Sequence, residues 1–248
     1  MILTRRQALV TAAGGLLAGC DRVASSDVGQ RLLGSAEDGH RVLQRALTDR
    51  TALAPEFRAD QRSPIFRANG TNNPNTPDYN ASAATGFADW RVRIDGLVRR
   101  PLDLSIADLR AMPARTQITR HDCVEGWSAI GKWTGPRLTP ILEFAGLRDD
   151  ARYLVFHCAD RLGGRPYYES IDLIDAFHPQ TILAWMLNDR VLGVPNGAPV
   201  RLRVERQLGY KHAKYVQRIE AVAALGSVFG GKGGYWEDVA GYEWYAGI

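Results

Sequence analysis

A single cysteine, Cys123, sits in the stretch RHDCVEGWSAIGKW (residues 120–133), beside a histidine, two acids and two tryptophans. No second cysteine lies in this stretch to form a disulfide or a zinc knuckle. A thiol in such company is a nucleophile, a metal ligand or a packed core residue. The other cysteines are Cys20 and Cys158. In an oxidising compartment Cys123 and Cys158 could pair, and that disulfide is the structural rival to any catalytic use of Cys123.

A second constellation is NGAPVRLRVERQLGYKHAKYVQRIE (residues 196–220), which carries Arg201, Arg203, Arg206, Lys211, His212, Lys214 and Arg218. A strand, a glycine-containing turn and a cluster of cations suit a phosphate, because the charges neutralise it and backbone amides complete the cradle. A basic, solvated face is the alternative, and composition alone does not choose between them. The five histidines show no helical or hairpin metal spacing, which argues against zinc. There is no Gly-x-Gly-x-x-Gly, Walker loop or Gly-x-Ser-x-Gly, so nucleotide binding and serine hydrolysis lack support. No Cys-x-x-Cys-His occurs, so the chain does not covalently hold its own haem.

The elements that must position these residues alternate strands with short helices. WRVRIDGLV alternates as a half-buried strand does. Ser105 with Asp108 three residues on predicts a capped short helix, and Pro140 with Gly146 brackets a second. RYLVFHC and YYESIDL read as strands, and the apolar run TILAWML as a core segment. VRLRVE puts Val200, Leu202 and Val204 on one face and Arg201, Arg203 and Glu205 on the other. NGTNNPNTPDYN (residues 69–80) is a dense turn region, either a surface loop or one whose amides contact a polar ligand. With no repeat and no regular βαβ order, the fold class is α+β, with mixed β-sheets and short helices.

The amino terminus, MILTRRQALVTAAGGLLAGC, reads as an address. Arg5 and Arg6 precede an apolar run far short of the ~20 residues that span a bilayer. The paired arginines resemble a twin-arginine export signal, and LAGC a lipoprotein cleavage box that would acylate Cys20. Twin-arginine export moves folded proteins, often with a cofactor in place. Removing residues 1–19 takes Arg5 and Arg6 away, so the formal charge falls from +4 to +2, too little to argue for nucleic acid. The expected organisation is an export signal with a lipoprotein box over 1–20, a tether and surface helix over 21–62, and the main domain over 63–248.

HDCVEGWSAIGKWTGPRL, HPQTILAWMLNDRVLGVPNGAPVRLRV and LGYKHAKYVQRIE resemble, in order, three motifs of the sulfite oxidase-fold molybdopterin oxidoreductases. The nearest branch is the exported catalytic subunits similar to the periplasmic methionine sulfoxide reductase, and the likeness runs from about residue 69 to the carboxyl end. It implies a molybdopterin cofactor with molybdenum bound by the Cys123 thiolate, a soft ligand suited to a redox-cycling metal. The cysteine is then single because the pterin's dithiolene supplies the other sulfurs. The resemblance places Asn72 and Asn73 at the cofactor, Asn75 and Thr76 at the pterin, and Cys158 where a pterin-contacting threonine stands, its contact made through backbone. It places Asn196 and Arg201 on the phosphate side and His212, Ala213 and Lys214 in the turn that closes over the phosphate. Cys123, Asn73 and Glu125 are the candidates for catalytic roles, Glu125 as an acid beside the ligand, and Trp127 and Trp133 are read as packing that keeps the site rigid and dry.

The chain departs from sulfite oxidases where Val124, Glu125 and Gly126 replace a basic pair, and a glutamate there disfavours an anionic substrate. The segment between Cys158 and Tyr167 is also short for the sulfoxide reductase branch. The expectation is oxygen-atom transfer to or from a small substrate, S-oxide reduction before sulfite oxidation. Electrons would come from a separate partner, with a membrane haem protein as the candidate. A monomer, outside the cytoplasm and tied to the membrane only through lipid on Cys20, completes the reading. The rivals are a sulfite dehydrogenase and a metal-free binding lipoprotein of the same fold.

Overall fold

The computed structural model describes residues 26–248, so the export signal and Cys20 lie outside the described residues. Two compact units divide between Asp49 and Arg50. The first contains helix α1 (Asp27–Leu47), capped by Ser26, whose side chain accepts from the Gly29 amide at 3.0 Å. No helix among the described residues is long and apolar enough to cross a membrane.

The larger unit begins at Arg50, earlier than the expected boundary at residue 63, and residues 54–57 add an extended edge to it. Phe57 N donates to Ile118 O at 2.8 Å and Glu56 bridges Thr119. Gln180 then clamps Ala54 by accepting from its amide at 2.8 Å and donating to its carbonyl at 3.1 Å. An extended chain whose backbone groups are met by a neighbouring strand is part of that domain.

One sheet has five strands in the order β2 (Leu102–Ser105), β1 (Arg91–Gly96), β11 (Val216–Val222), β5 (Tyr153–Leu162), β6 (Arg165–Asp172). Only the β1–β11 pair is parallel. A second sheet runs β3 (Ala114–Cys123), β4 (Trp127–Pro136), β8 (Met186–Leu187), β9 (Arg190–Val191), and a two-stranded piece pairs β10 (Arg201–Arg203) with β7 (Ile182–Ala184). Short helices fill between: α2 (Pro77–Ala84), α3 (Ile106–Ala111), α4 (Leu138–Ala145), α5 (Leu173–Ala176) and α6 (Tyr235–Ala240). This is the α+β arrangement that the mixture of motifs called for.

Local signals explain the elements near the site. Ser105 and Asp108 form the reciprocal cap of α3, and α4 stops at Gly146 in the left-handed region, as Pro140 and Gly146 predicted. The core gathers Val92, Ile94, Ile141, Leu142, Leu154, Phe156, Leu202 and Ile219, each about 1.5–3 kcal/mol of burial. VRLRVE keeps the two faces read from its alternation, but both are buried, so the basic face is not solvated. β10 pairs with β7 on one side, the Leu202 amide reaches Ala213 O on the other, and Trp133 of β4 lies under the guanidinium groups of Arg201 and Arg203 at 5.1 and 4.3 Å.

Candidate active site

The CVEGW segment is the tip of a hairpin. Cys123 and Trp127 are its last paired residues, and Val124, Glu125 and Gly126 make the turn, with Gly126 at φ +83°. The tip carries Cys123 into a cavity of about 250 Å³. Residues 69–71 form one wall, Asp160 and Leu162 of β5 with Tyr167 of β6 a second, and Gly209, Tyr210, His212 and Lys214 a third. Trp236 and Tyr242, stacked at 5.6 Å, close the cavity from the carboxyl-terminal segment. The Cys123 thiol is half-buried, and burial pushes it up while backbone N–H groups of the turn oppose the shift. A cation bound to the sulfur would reverse that balance.

The basic cluster divides. Arg203 pairs with Glu205 at 2.6 Å, Arg206 faces Asp175 at 3.6 Å, and Lys211 lies 2.8 Å from Glu169 and 2.5 Å from Glu237. Arg218 is held by Asp95 and Glu220. Arg201 and Lys214 differ: both are buried, and neither has a carboxylate at ion-pair distance among the described residues. Arg201 donates to Asn196 O at 3.0 Å and His212 O at 3.1 Å, with its Nε left without a partner. Lys214 donates to Asn69 O at 2.7 Å, Pro195 O at 3.0 Å and also Thr71 O. Burial, with repulsion from Arg203, brings Arg201 down to about 9; burial, with repulsion from Arg201 and against the attraction of Asp160, brings Lys214 to about 7. Buried cations held only by carbonyls call for an anion.

His212 is not a third cation. Burial, with Arg203 next, holds it well below the usual imidazole range; its Nδ1 accepts from Val204 N at 3.4 Å and its Nε2 donates to Gln207 O at 3.0 Å. What it and Ala213 offer to a ligand is backbone, and the Ala213 carbonyl already accepts from Leu202.

Glu125, Cys123, His212 and Lys214 therefore meet at one cavity, with Arg201 behind it. Asn72, Asn73, Asn75 and Thr76 follow the wall at 69–71 and do not line the cavity. Asn73 Oδ1 accepts from the Asn75 amide at 3.0 Å, and Thr76 caps α2. Asn196 borders a separate, open hollow of about 710 Å³ with Arg62 and Phe66. Cys158 packs in the core with its thiol toward Phe156 O at 3.7 Å, and both it and Cys123 are free thiols. Trp133 is fully buried, and the half-buried Trp127 donates to Glu125 at 2.9 Å.

Residues 69–71 fall at the start of the turn region read as a possible ligand contact, and Tyr210 inside the basic motif; Asp160, Tyr167, Trp236 and Tyr242 were not singled out as wall residues. The aromatic density of GGYWEDVAGYEWY was the signal for the last two. Asp160 is the most unusual, a buried carboxyl with Oδ1 unpartnered and burial pushing it up to about 6.

The family model described as oxidoreductase molybdopterin binding domain matches residues 79–225. A putative protein-methionine-sulfoxide reductase subunit YedZ1 from Azospira oryzae is 42% identical over 160 residues, 64% of this chain and 56% of that protein. The protein-methionine-sulfoxide reductase catalytic subunit MsrP of Campylobacter jejuni is 30% identical over 177 residues, 66% and 55% of the two chains. The chain thus spans about half the length of the curated relatives it matches. Sulfane dehydrogenase SoxCD from Paracoccus pantotrophus superposes with a TM-score of 0.50 at 23% identity, over 55% of this chain and 39% of that one, a likeness of fold and of the sulfite oxidase type.

The residues present fit the cofactor that such a family carries. Molybdopterin brings a phosphate to answer Arg201 and Lys214, and sulfurs that need only one protein thiolate beside them. Among the described residues no three His, Cys, Asp or Glu side chains gather to hold a metal unaided. By its sequence over most of the larger unit, and in keeping with its fold, the chain belongs to the family of oxidoreductase molybdopterin-binding domains.

Proposed function

We propose that this chain is the catalytic part of an exported molybdopterin oxidoreductase that reduces a small S-oxide with electrons from a separate partner. The observation that carries this reading is the meeting of the Cys123 thiol, in one cavity, with Lys214, a buried cation whose hydrogen bonds all go to backbone carbonyls. Cys123 would hold the molybdenum, and Arg201, Lys214 and the backbone of residues 212–214 the phosphate. Asn72, Asn73, Asn75, Thr76, Asn196 and the Cys158 backbone are the remaining assigned contacts.

When bound, the group supplies the two electrons that S-oxide reduction consumes. The chain's own residues do the rest. Tyr167, Tyr210, Trp236 and Tyr242 give an aromatic wall that suits a thioether and its oxide and limits water. Reduction also takes up two protons and releases water, and Glu125 and Asp160 are the carboxyl groups facing the cavity. Asp160 keeps its proton to about pH 6 through burial. Two carboxyl groups in a confined site repel sulfite, which favours a neutral S-oxide. The names of the YedZ1 and MsrP relatives support the same substrate class.

The test is molybdenum analysis of wild type beside Cys123→Ser, followed by turnover of methionine sulfoxide and of sulfite with an artificial electron carrier. Stoichiometric molybdenum, lost or inert in the variant, with S-oxide turnover is the expected result. Sulfite turnover alone would reverse the direction. Protein made with an intact cofactor pathway but free of molybdenum would leave a binding lipoprotein. Export, lipid on Cys20, a membrane haem protein as electron source and a monomeric state belong to the proposal, and fractionation with labelled fatty acid tests the anchor.

A further inference from the structure

The β3 strand that ends at Cys123 carries a second group toward the same site. His121 lies two residues earlier, so the two side chains leave the same face of the strand. Its ring is 1% exposed and packs between neighbours, 5.0 Å from the ring of His212, 5.7 Å from Trp127 and 5.8 Å from Phe66.

A fixed chain of hydrogen bonds decides which nitrogen holds its proton. Gln117 donates to Glu205 at 2.8 Å and to Gln180 O at 2.9 Å, which anchors the carboxylate. Glu205 accepts from Arg203 through both oxygens, at 2.9 and 2.6 Å. The remaining arm of Arg203 lies 2.8 Å from His121 Nδ1. A guanidinium only donates, so Nδ1 must accept and the proton of the neutral ring stands on Nε2. That Nε2 is buried and has no partner.

Nε2 packs against Gly209. A side chain at Gly209 would place its Cβ 2.6 Å from Nε2, and Gly209 itself lines the cavity. No side chain fits there because the ring already occupies the space, so the unpartnered donor lies against the backbone of a cavity-lining residue, while His121 itself does not line the cavity. A buried N–H without an acceptor is costly, and the chain of hydrogen bonds from Gln117 through Glu205 and Arg203 ends on this ring.

We propose that His121 is a cofactor-binding residue, its Nε2–H donating past Gly209 to an acceptor of the molybdopterin group in the cavity. This rests on the placement of the cofactor there. Arg203 and Glu205 act as positioning residues that hold the tautomer, and the basic motif then serves the site in two ways: Arg201 and Lys214 by charge, Arg203 by setting a neutral donor.

The experiment measures molybdenum and pterin in wild type, His121→Gln and His121→Leu holoenzyme, as purified and through prolonged dialysis. Glutamine can accept from Arg203 and still donate, whereas leucine cannot. The expected result is cofactor loss about tenfold faster in the leucine variant, with glutamine close to wild type. In ¹⁵N-histidine-labelled wild-type holoenzyme, two-bond ¹H–¹⁵N correlations should show His121 protonated on Nε2 and bare on Nδ1. Equal retention by the leucine variant, equal loss by both variants, or a proton on Nδ1 overturns the inference. The wild-type spectrum decides it even if the leucine variant does not fold. Wild type without molybdenum would instead remove the cofactor's placement and this inference together.

Discussion

Lys211→Met should destabilise the larger unit far more than loss of a surface lysine would. Lys211 is 1% exposed and lies 2.8 Å from Glu169 and 2.5 Å from Glu237, both also buried. Removing the cation strands two carboxylates out of water, a cost of about 3–5 kcal/mol. At roughly 2–4 °C per kcal/mol for a unit of this size, the midpoint of thermal unfolding falls by on the order of 10 °C. Glu237 belongs to α6, whose Trp236 lines the cavity, so proteolysis near the carboxyl terminus should accelerate alongside. The loss is pH-dependent with a definite sign. Burial raises Glu169 above the usual carboxylate range and Lys211 is the chief opposing charge, so without Lys211 the shift grows. A carboxyl raised in the folded state stabilises below its unfolded pKa and loses that contribution as pH rises through the folded one. The deficit should therefore shrink toward about pH 5 and widen toward about pH 8, and adding Glu169→Gln and Glu237→Gln should recover most of it. A loss below about 1 kcal/mol, the range of an exposed pair, or an equal loss at both pH values would refute the reasoning.

Asp160→Asn should raise stability at neutral pH by on the order of 2 kcal/mol, because burial lifts the carboxyl to about 6 and its favourable protonation is lost as pH rises past that value. Urea unfolding from acid to neutral pH reads the effect as a flatter profile, and an unchanged profile counts against it. Trp133→Ala should cost about 3–5 kcal/mol by chemical denaturation, since it leaves a void beneath Arg201 and Arg203. A loss below 1.5 kcal/mol would mean that the guanidinium groups close over the gap.

Local chemistry explains what could be read in advance. Ser105 and Asp108, or Pro140 and Gly146, mark their helices because capping acts within a turn. The hairpin at Cys123 was equally local, and Gly126 after Glu125 was its available sign. The basic motif was readable as a set of charges but not as a division of labour. Glu205 stands two residues from Arg203, whereas the partners of Lys211 arrive from β6 and α6, which only the fold brings near. The alternation of Val200, Leu202 and Val204 marked faces correctly without revealing that Trp133 covers the polar one. Residues 69–71 were legible as a turn but not as a cavity wall, and Asp160 showed no pattern. The loop at 69–71 is held to the cavity by Lys214 and Tyr215, which bond its carbonyls, Tyr215 donating to Thr71 O at 2.8 Å, while Asp160 is carried there by β5.

The place of β11 in the five-stranded sheet sets an order of assembly. It is central, flanked by β1 in parallel and β5 in antiparallel pairing, yet it is the last of the strands to leave the ribosome. Until it arrives, β1–β2 and β5–β6 are two separate hairpins with unpaired inner edges. Lys214 precedes β11 by two residues and comes in with it, so the anion-binding corner is finished in the same late step that closes the sheet. Such long-range closure is slow, and an unfinished chain carries exposed edges throughout the wait. Cofactor loading consequently follows synthesis of the whole domain, and the nascent chain needs protection from edge-to-edge aggregation until then.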